Sequence, residues 1–189
     1  MYCYKELPKS MKTECVIDPA SNKKLWLYLN LGAIGFAVVL AVIGNLFVPI
    51  TQLYDVGGVG RFILRAVLML AGAVLYFSVY EVVHSYVAKR LTGEKTRIVM
   101  GKACIYSDSE SFYTLKGYLL YAFAPVAVLG VILLLLNIAL PDKFFWQVYI
   151  IQIINIAGAA GNFYVAYRLL KEKKELAVKD DGLKISYRK

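Results

Sequence analysis

The stretch that decides the fold is residues 62–91, FILRAVLMLAGAVLYFSVYEVVHSYVAKRL. Its first two thirds are apolar with one arginine, Arg65, and its last third carries Glu81, His84, Lys89 and Arg90. A run this long with so few charges matches the ~20 residues an α-helix needs to cross a bilayer. His84 is the one histidine of the chain, and Glu81 is the one acidic residue in any of its long apolar segments. An ionisable group at membrane depth costs about 3 kcal/mol on insertion scales, so it faces a bundle interior and has a purpose there.

Three more segments have the same character. They are Leu25 to Ile50, Tyr118 to Leu140 and Phe144 to Leu170, and the first of them holds no charge at all. With residues 62–91 they predict four transmembrane helices. The composition agrees: 59% of the 189 residues are hydrophobic and 19% charged, with mean hydropathy +0.57. A soluble domain runs nearer 45–50% apolar and about 25% charged. The fold class expected is an all-α integral membrane protein, with a transmembrane domain at 25–170 between a segment at 1–24 and a tail at 171–189.

Basic residues orient the spans. Five lysines precede the first span, six Lys/Arg lie between Lys89 and Lys116, and eight occur from Arg168 onward. The other two connections hold few. Cytoplasmic loops carry the Lys/Arg excess, so both termini and the long middle loop are expected in the cytoplasm, in a plasma membrane. The same rule accounts for the net charge of +9. Nucleic acid is not an expected partner: the tail mixes acids among its bases and has no recognisable module. Cys3, Cys15 and Cys104 form no C-x-x-C pair and imply neither a disulfide framework nor a Cys-rich metal site. The N-terminal residues show no signal-peptide pattern.

Two short elements interrupt the helical pattern. TRIVMGKACIY, residues 96–106, reads as a β-hairpin around Met100, Gly101 and Lys102. SDSESFYTLKG, residues 107–117, reads as a polar turn in which Ser109, Phe112 and Tyr113 start an interfacial turn before the next helix. In the tail, a turn at Asp180 to Gly182 precedes a short strand, KISYR. Pro125 lies inside span three and is expected to kink it, with neighbouring groups satisfying the freed carbonyl.

The candidate site lies near the inner end of span two. Glu81 and His84 are three apart, and Tyr80 and His84 four apart, so they share a helix face with Ser85 beside them. Asn162 follows the small-residue run Gly158-Ala159-Ala160-Gly161 in span four, six residues before Arg168. Asn30, Gln152 and Asn155 add polar groups to spans one and four. Two readings stand open. The Glu81–His84 pair is a functional centre or a hydrogen-bonded lock between helices. Asn162 is a ligand or helix-packing glue.

Taken in order, IDPASNKKLWLYLNLGAI (17–34), YEVVHSYVAKRLTGEK (80–95), the hairpin, YLLYAFAPVAVL (118–129), GAAGNFYVAYRLLK (158–171) and VKDDG (178–182) resemble a family of small bacterial four-span membrane proteins, the putative zincin peptidases, formerly a domain of unknown function. That family is similar to site-2-type intramembrane metalloproteases. It carries H-E-x-x-H in span two and an acidic ligand on a later helix. Such a motif places two histidines on one helix face around zinc, with the Glu as general base on the bound water. A third protein ligand leaves the fourth position for water.

Set against that motif, Glu81 falls at the base and His84 at the second histidine, while Tyr80 stands at the first histidine and Asn162 at the acidic ligand. The resemblance therefore implies a zincin-like membrane protein with a degenerate metal site and no expected cofactor, zinc being implied only if the site is active. Its partners would be the bilayer and a membrane or peptide partner. The alternatives are an active metallopeptidase using Glu81, His84 and Asn162 or Tyr80, an accessory or immunity subunit of a membrane complex, and a proton carrier working through Glu81 and His84.

Overall fold

The computed structural model describes all residues except 1, 5, 9, 10, 12, 20, 55, 56, 94–96, 101–104, 109, 110, 173, 174, 182 and 183, and at 97–100 and 105–108 the backbone alone. Cys104, Ser109, Gly182 and the Gly101–Lys102 turn of the expected hairpin lie outside the described residues. Four helices are long and apolar enough to cross a membrane: α1 (Lys23–Phe47), α2 (Val59–Thr92), α3 (Leu115–Ala139), and a fourth stretch at Asp142–Lys171. The fourth stretch is two helices, α4 (Phe145–Gly158) and α5 (Ala160–Lys171), parted at Ala159. The break falls in the Gly158–Gly161 run, where glycine weakens a helix interior by up to ~1 kcal/mol each relative to alanine.

Only 6% of the most apolar window of α1 and of α2 is buried within the chain. Helices apolar on nearly every face require an apolar surrounding. The chain reads as a multi-pass membrane protein on those helices.

The all-α expectation needs correction. Besides the antiparallel pair β3 (Arg97–Met100) and β4 (Ile105–Asp108), a five-stranded antiparallel sheet is present. It joins β1 (Cys3–Tyr4), β2 (Glu14–Ile17), β5 (Phe112–Thr114), β6 (Ala177–Asp180) and β7 (Ile185–Arg188) in the order β1-β5-β6-β7-β2. The tail strand expected near KISYR is β7, but it is one of five. Phe112 and Tyr113, read as the start of an interfacial turn, are strand residues. Two- to four-residue strands are too short for alternation to register. Two of the four pairings join residues more than a hundred apart, such as Cys3 opposite Tyr113 and Glu14 opposite Arg188.

The chain divides into two compact units. The first comprises Met1–Tyr28, Glu81–Pro125 and Gly161–Lys189 and contains the five-stranded sheet. One cross-strand row runs Cys3, Tyr113, Val178, Tyr187, Cys15. Tyr113, Val178 and Tyr187 are buried in a core with Ala88, Tyr118, Tyr121, Val165 and Leu169. Thr114 caps α3 by accepting the Gly117 amide (3.2 Å). The second unit, Leu29–Tyr80 with Val126–Ala160, is purely helical among its described residues. There Trp146 Nε1 donates to the Val48 and Pro49 carbonyls (3.1 and 3.2 Å), and the Tyr149 hydroxyl donates to Leu40 O (2.8 Å). Gly44 leaves room for the Tyr149 ring, which a Cβ would strike.

At Gly117 a Cβ would collide with the Tyr2 carbonyl oxygen, a backbone atom with little freedom to yield. Gly117→Ala is therefore expected to cost about 1–3 kcal/mol, the range for overpacking, and to detach β1. Hydrogen exchange at the Thr114 amide, which donates to Tyr2 O (3.0 Å), should speed up accordingly. An unchanged rate would show that β1 tolerates the methyl.

The sheet also has a pH signature. Burial, then the hydrogen bond to Glu172 and the nearby Cys15, push the Tyr187 hydroxyl up to about 12 from its ordinary 10.0. The folded state thus holds this proton more tightly than the unfolded chain. The stabilisation is complete below pH ~10 and is lost as pH rises toward ~12. Absorbance at 295 nm should show one tyrosine ionising together with loss of the sheet, and Tyr187→Phe should remove that coupling.

Candidate functional site

Helix α2 presents Tyr80, Glu81, His84 and Ser85 over little more than one turn. All four are half-buried and engage other groups of the chain. Their surroundings differ. Tyr80, in the second unit, tilts against Tyr76 (5.8 Å between centroids) and packs on the cluster of Tyr76, Leu129, Leu133 and Ile151. Glu81, His84 and Ser85 belong to the first unit. The His84 ring lies 4.7 Å from the Tyr121 ring at 52°.

Tyr121 is the hub of that surrounding. It stacks on Tyr113 at 5.1 Å and 15°, and approaches Tyr118 at 6.5 Å. Glu81 and Asp180 both act on it electrostatically. The result is a buried aromatic column, His84–Tyr121–Tyr113, running from α2 through α3 to β5, with a carboxylate from α2 and another from β6 bearing on its middle member. Sequence reading missed Tyr121, Tyr113 and Asp180. Tyr113 has the look of an interfacial turn, and Asp180 that of a turn before the tail strand. The only available signal was the three-residue spacing of Tyr118 and Tyr121, which puts them on one face of α3.

Asn162, also in the first unit, donates its Nδ2 to the Ala122 carbonyl (3.1 Å). The second unit holds a parallel arrangement that the sequence pointed to only in part. Asn155, 2% exposed, donates Nδ2 to the Val126 carbonyl (3.0 Å) and accepts the Tyr76 hydroxyl at Oδ1 (2.9 Å). Ala122 and Val126 flank the buried Pro125, which lacks the N–H that would bond the Tyr121 carbonyl.

The family model described as "Putative zincin peptidase" matches residues 73–177. That is more than half of the chain, from within α2 to the first residue of β6, and the chain belongs to this family. No curated protein and no solved structure matches it.

Family membership brings zinc into question, and the donor set can be tested. A zincin site takes three protein ligands on the metal, drawn from His, Asp, Glu or Cys. The chain supplies one histidine. Its ring is packed on Tyr121, and the Asn162 amide nitrogen is committed to a main-chain carbonyl. Tyr80 and Asn162 are poor zinc donors in their neutral forms. This donor set does not fit a three-ligand zinc site.

The two asparagines should differ in stability. Asn155→Ala leaves the buried Tyr76 hydroxyl without its acceptor and is expected to cost about 1–3 kcal/mol. Asn162→Ala removes one interhelical bond, typically worth about 0.6 kcal/mol in membrane proteins. Thermal unfolding in micelles would rank them. The pair Tyr76→Phe with Asn155→Leu should recover much of the first loss, since both partners then turn apolar.

Proposed function

We propose that the chain is a membrane-embedded, zincin-like protein without peptidase activity that acts by binding a membrane or peptide partner. The observation that carries this reading is the state of the motif residues. Tyr80 occupies the first-histidine position and packs among Tyr76 and its apolar neighbours, while His84 is held against Tyr121. Glu81 then has no metal-bound water to deprotonate. In this reading both termini and the β3–β4 pair lie in the cytoplasm. Each strand of that pair has an unpaired outer edge among the described residues, which suits strand addition by an extended peptide.

The competing reading, an active metallopeptidase, is favoured by one observation: Glu81 stands where the family's general base would be, three residues before His84. Metal content separates the two. The full chain purified in detergent should carry no stoichiometric zinc, and Tyr80→His combined with Asn162→Asp should acquire it. About one zinc per unmodified chain, with peptide cleavage abolished by Glu81→Gln, would overturn the proposal.

A further inference from the structure

We propose that the second unit binds one anionic phospholipid, with an acyl chain in the groove between α2, α3 and α4 and the phosphate on Arg65. The groove has a volume of about 520 Å³, within the usual range for ligand sites. Its walls are apolar side chains such as Leu68, Leu75, Leu133 and Val148. Along α2 it extends from Arg65 to Val79, roughly 21 Å of helix rise. One leaflet of a ~30 Å hydrocarbon core is about 15 Å deep, so the groove accommodates an acyl chain lengthwise.

Only three polar residues reach this lining, Arg65, Tyr76 and Gln147. Two of them are committed within the chain. The Tyr76 hydroxyl donates to Asn155. Gln147, with its amide turned to donate, bonds the carbonyls of Phe144 (3.0 Å) and Lys143 (3.3 Å). Arg65 makes one described bond, from Nη1 to the Gln52 carbonyl (3.2 Å). A guanidinium has five N–H donors, and no carboxylate pairs with it among the described residues.

Arg65 is six residues into α2, about 9 Å along the helix. Its bond to Gln52, in the short turn Ile50–Leu53 that follows α1, holds the guanidinium toward the end of the helix, where phosphates sit. Arginine matches phosphate through two parallel N–H bonds. No carboxylate in the lining could face a choline or an ethanolamine, which favours a headgroup of net negative charge.

The full chain in detergent micelles would be exposed to equal amounts of phosphatidylglycerol and phosphatidylcholine with the same acyl chains, and bound lipid read by native mass spectrometry. The expected result is one phosphatidylglycerol per chain, retained about tenfold over phosphatidylcholine, a difference of ~1.4 kcal/mol. Arg65→Gln should abolish that preference and Arg65→Lys retain part of it. Millimolar inorganic phosphate should displace none of the lipid. Equal retention of the two lipids by the unmodified chain would overturn the proposal whatever the variants do. So would an unchanged preference in a folded Arg65→Gln, or displacement by inorganic phosphate, which would mark a simple anion site.

Discussion

The Tyr121 ring lies between His84 on α2 and Tyr113 on β5, and the first unit is built around that contact. A histidine in a helix otherwise shaped for lipid needs a partner that hides its ring and tolerates its dipole. An aromatic face does both. Tyr121 is 3% exposed and Tyr113 fully buried, while His84 at the end of the column is half-buried. Because Tyr113 pairs with Cys3 on one side and Val178 on the other, the position of the helix residue His84 is tied to the register of the sheet. A one-residue slip of β5 would turn Tyr113 to the opposite face and leave Tyr121 without its stacking partner.

Proline sets a related constraint on α3. Pro125 interrupts the helical hydrogen bonds of the segment that carries Tyr121. Amides from the fourth apolar stretch reach carbonyls on either side of it: Asn162 to Ala122 within the first unit, and Asn155 to Val126 within the second. Close approach has its own requirement. At Gly130 a Cβ would sit 3.2 Å from Asn155 Nδ2, so the glycine makes space for the amide. The asparagines thus have a structural explanation that calls on no ligand.

The helices were legible in the sequence because length and hydropathy alone announce them, and Glu81 and His84 stood out because charge is rare in such segments. The five-stranded sheet was not legible. Its strands are short, and pairs such as Cys3 with Tyr113 or Glu14 with Arg188 close loops of more than a hundred residues. No local pattern announces such a pairing. The division of the fourth stretch at Ala159 was hinted at by Gly158 and Gly161, but small residues also mark helix contacts. At the site, helical spacing pointed to Tyr80, Glu81 and His84 as neighbours on α2. It could not show that Tyr80 packs in one unit and His84 in the other, because that depends on neighbours contributed by α3, α4 and β5.

Membership of the zincin peptidase family and a motif reading YEVVH meet in a fold where the His84 ring lies against Tyr121. Since the chain has a single histidine, imidazole nitrogen resonances of the ¹⁵N-histidine-labelled protein report on His84 alone. The decisive measurement is that spectrum in micelles before and after adding zinc. The account predicts unchanged nitrogen shifts at stoichiometric metal. A shift of one ring nitrogen to a metal-bound position would contradict it and return His84 to catalysis.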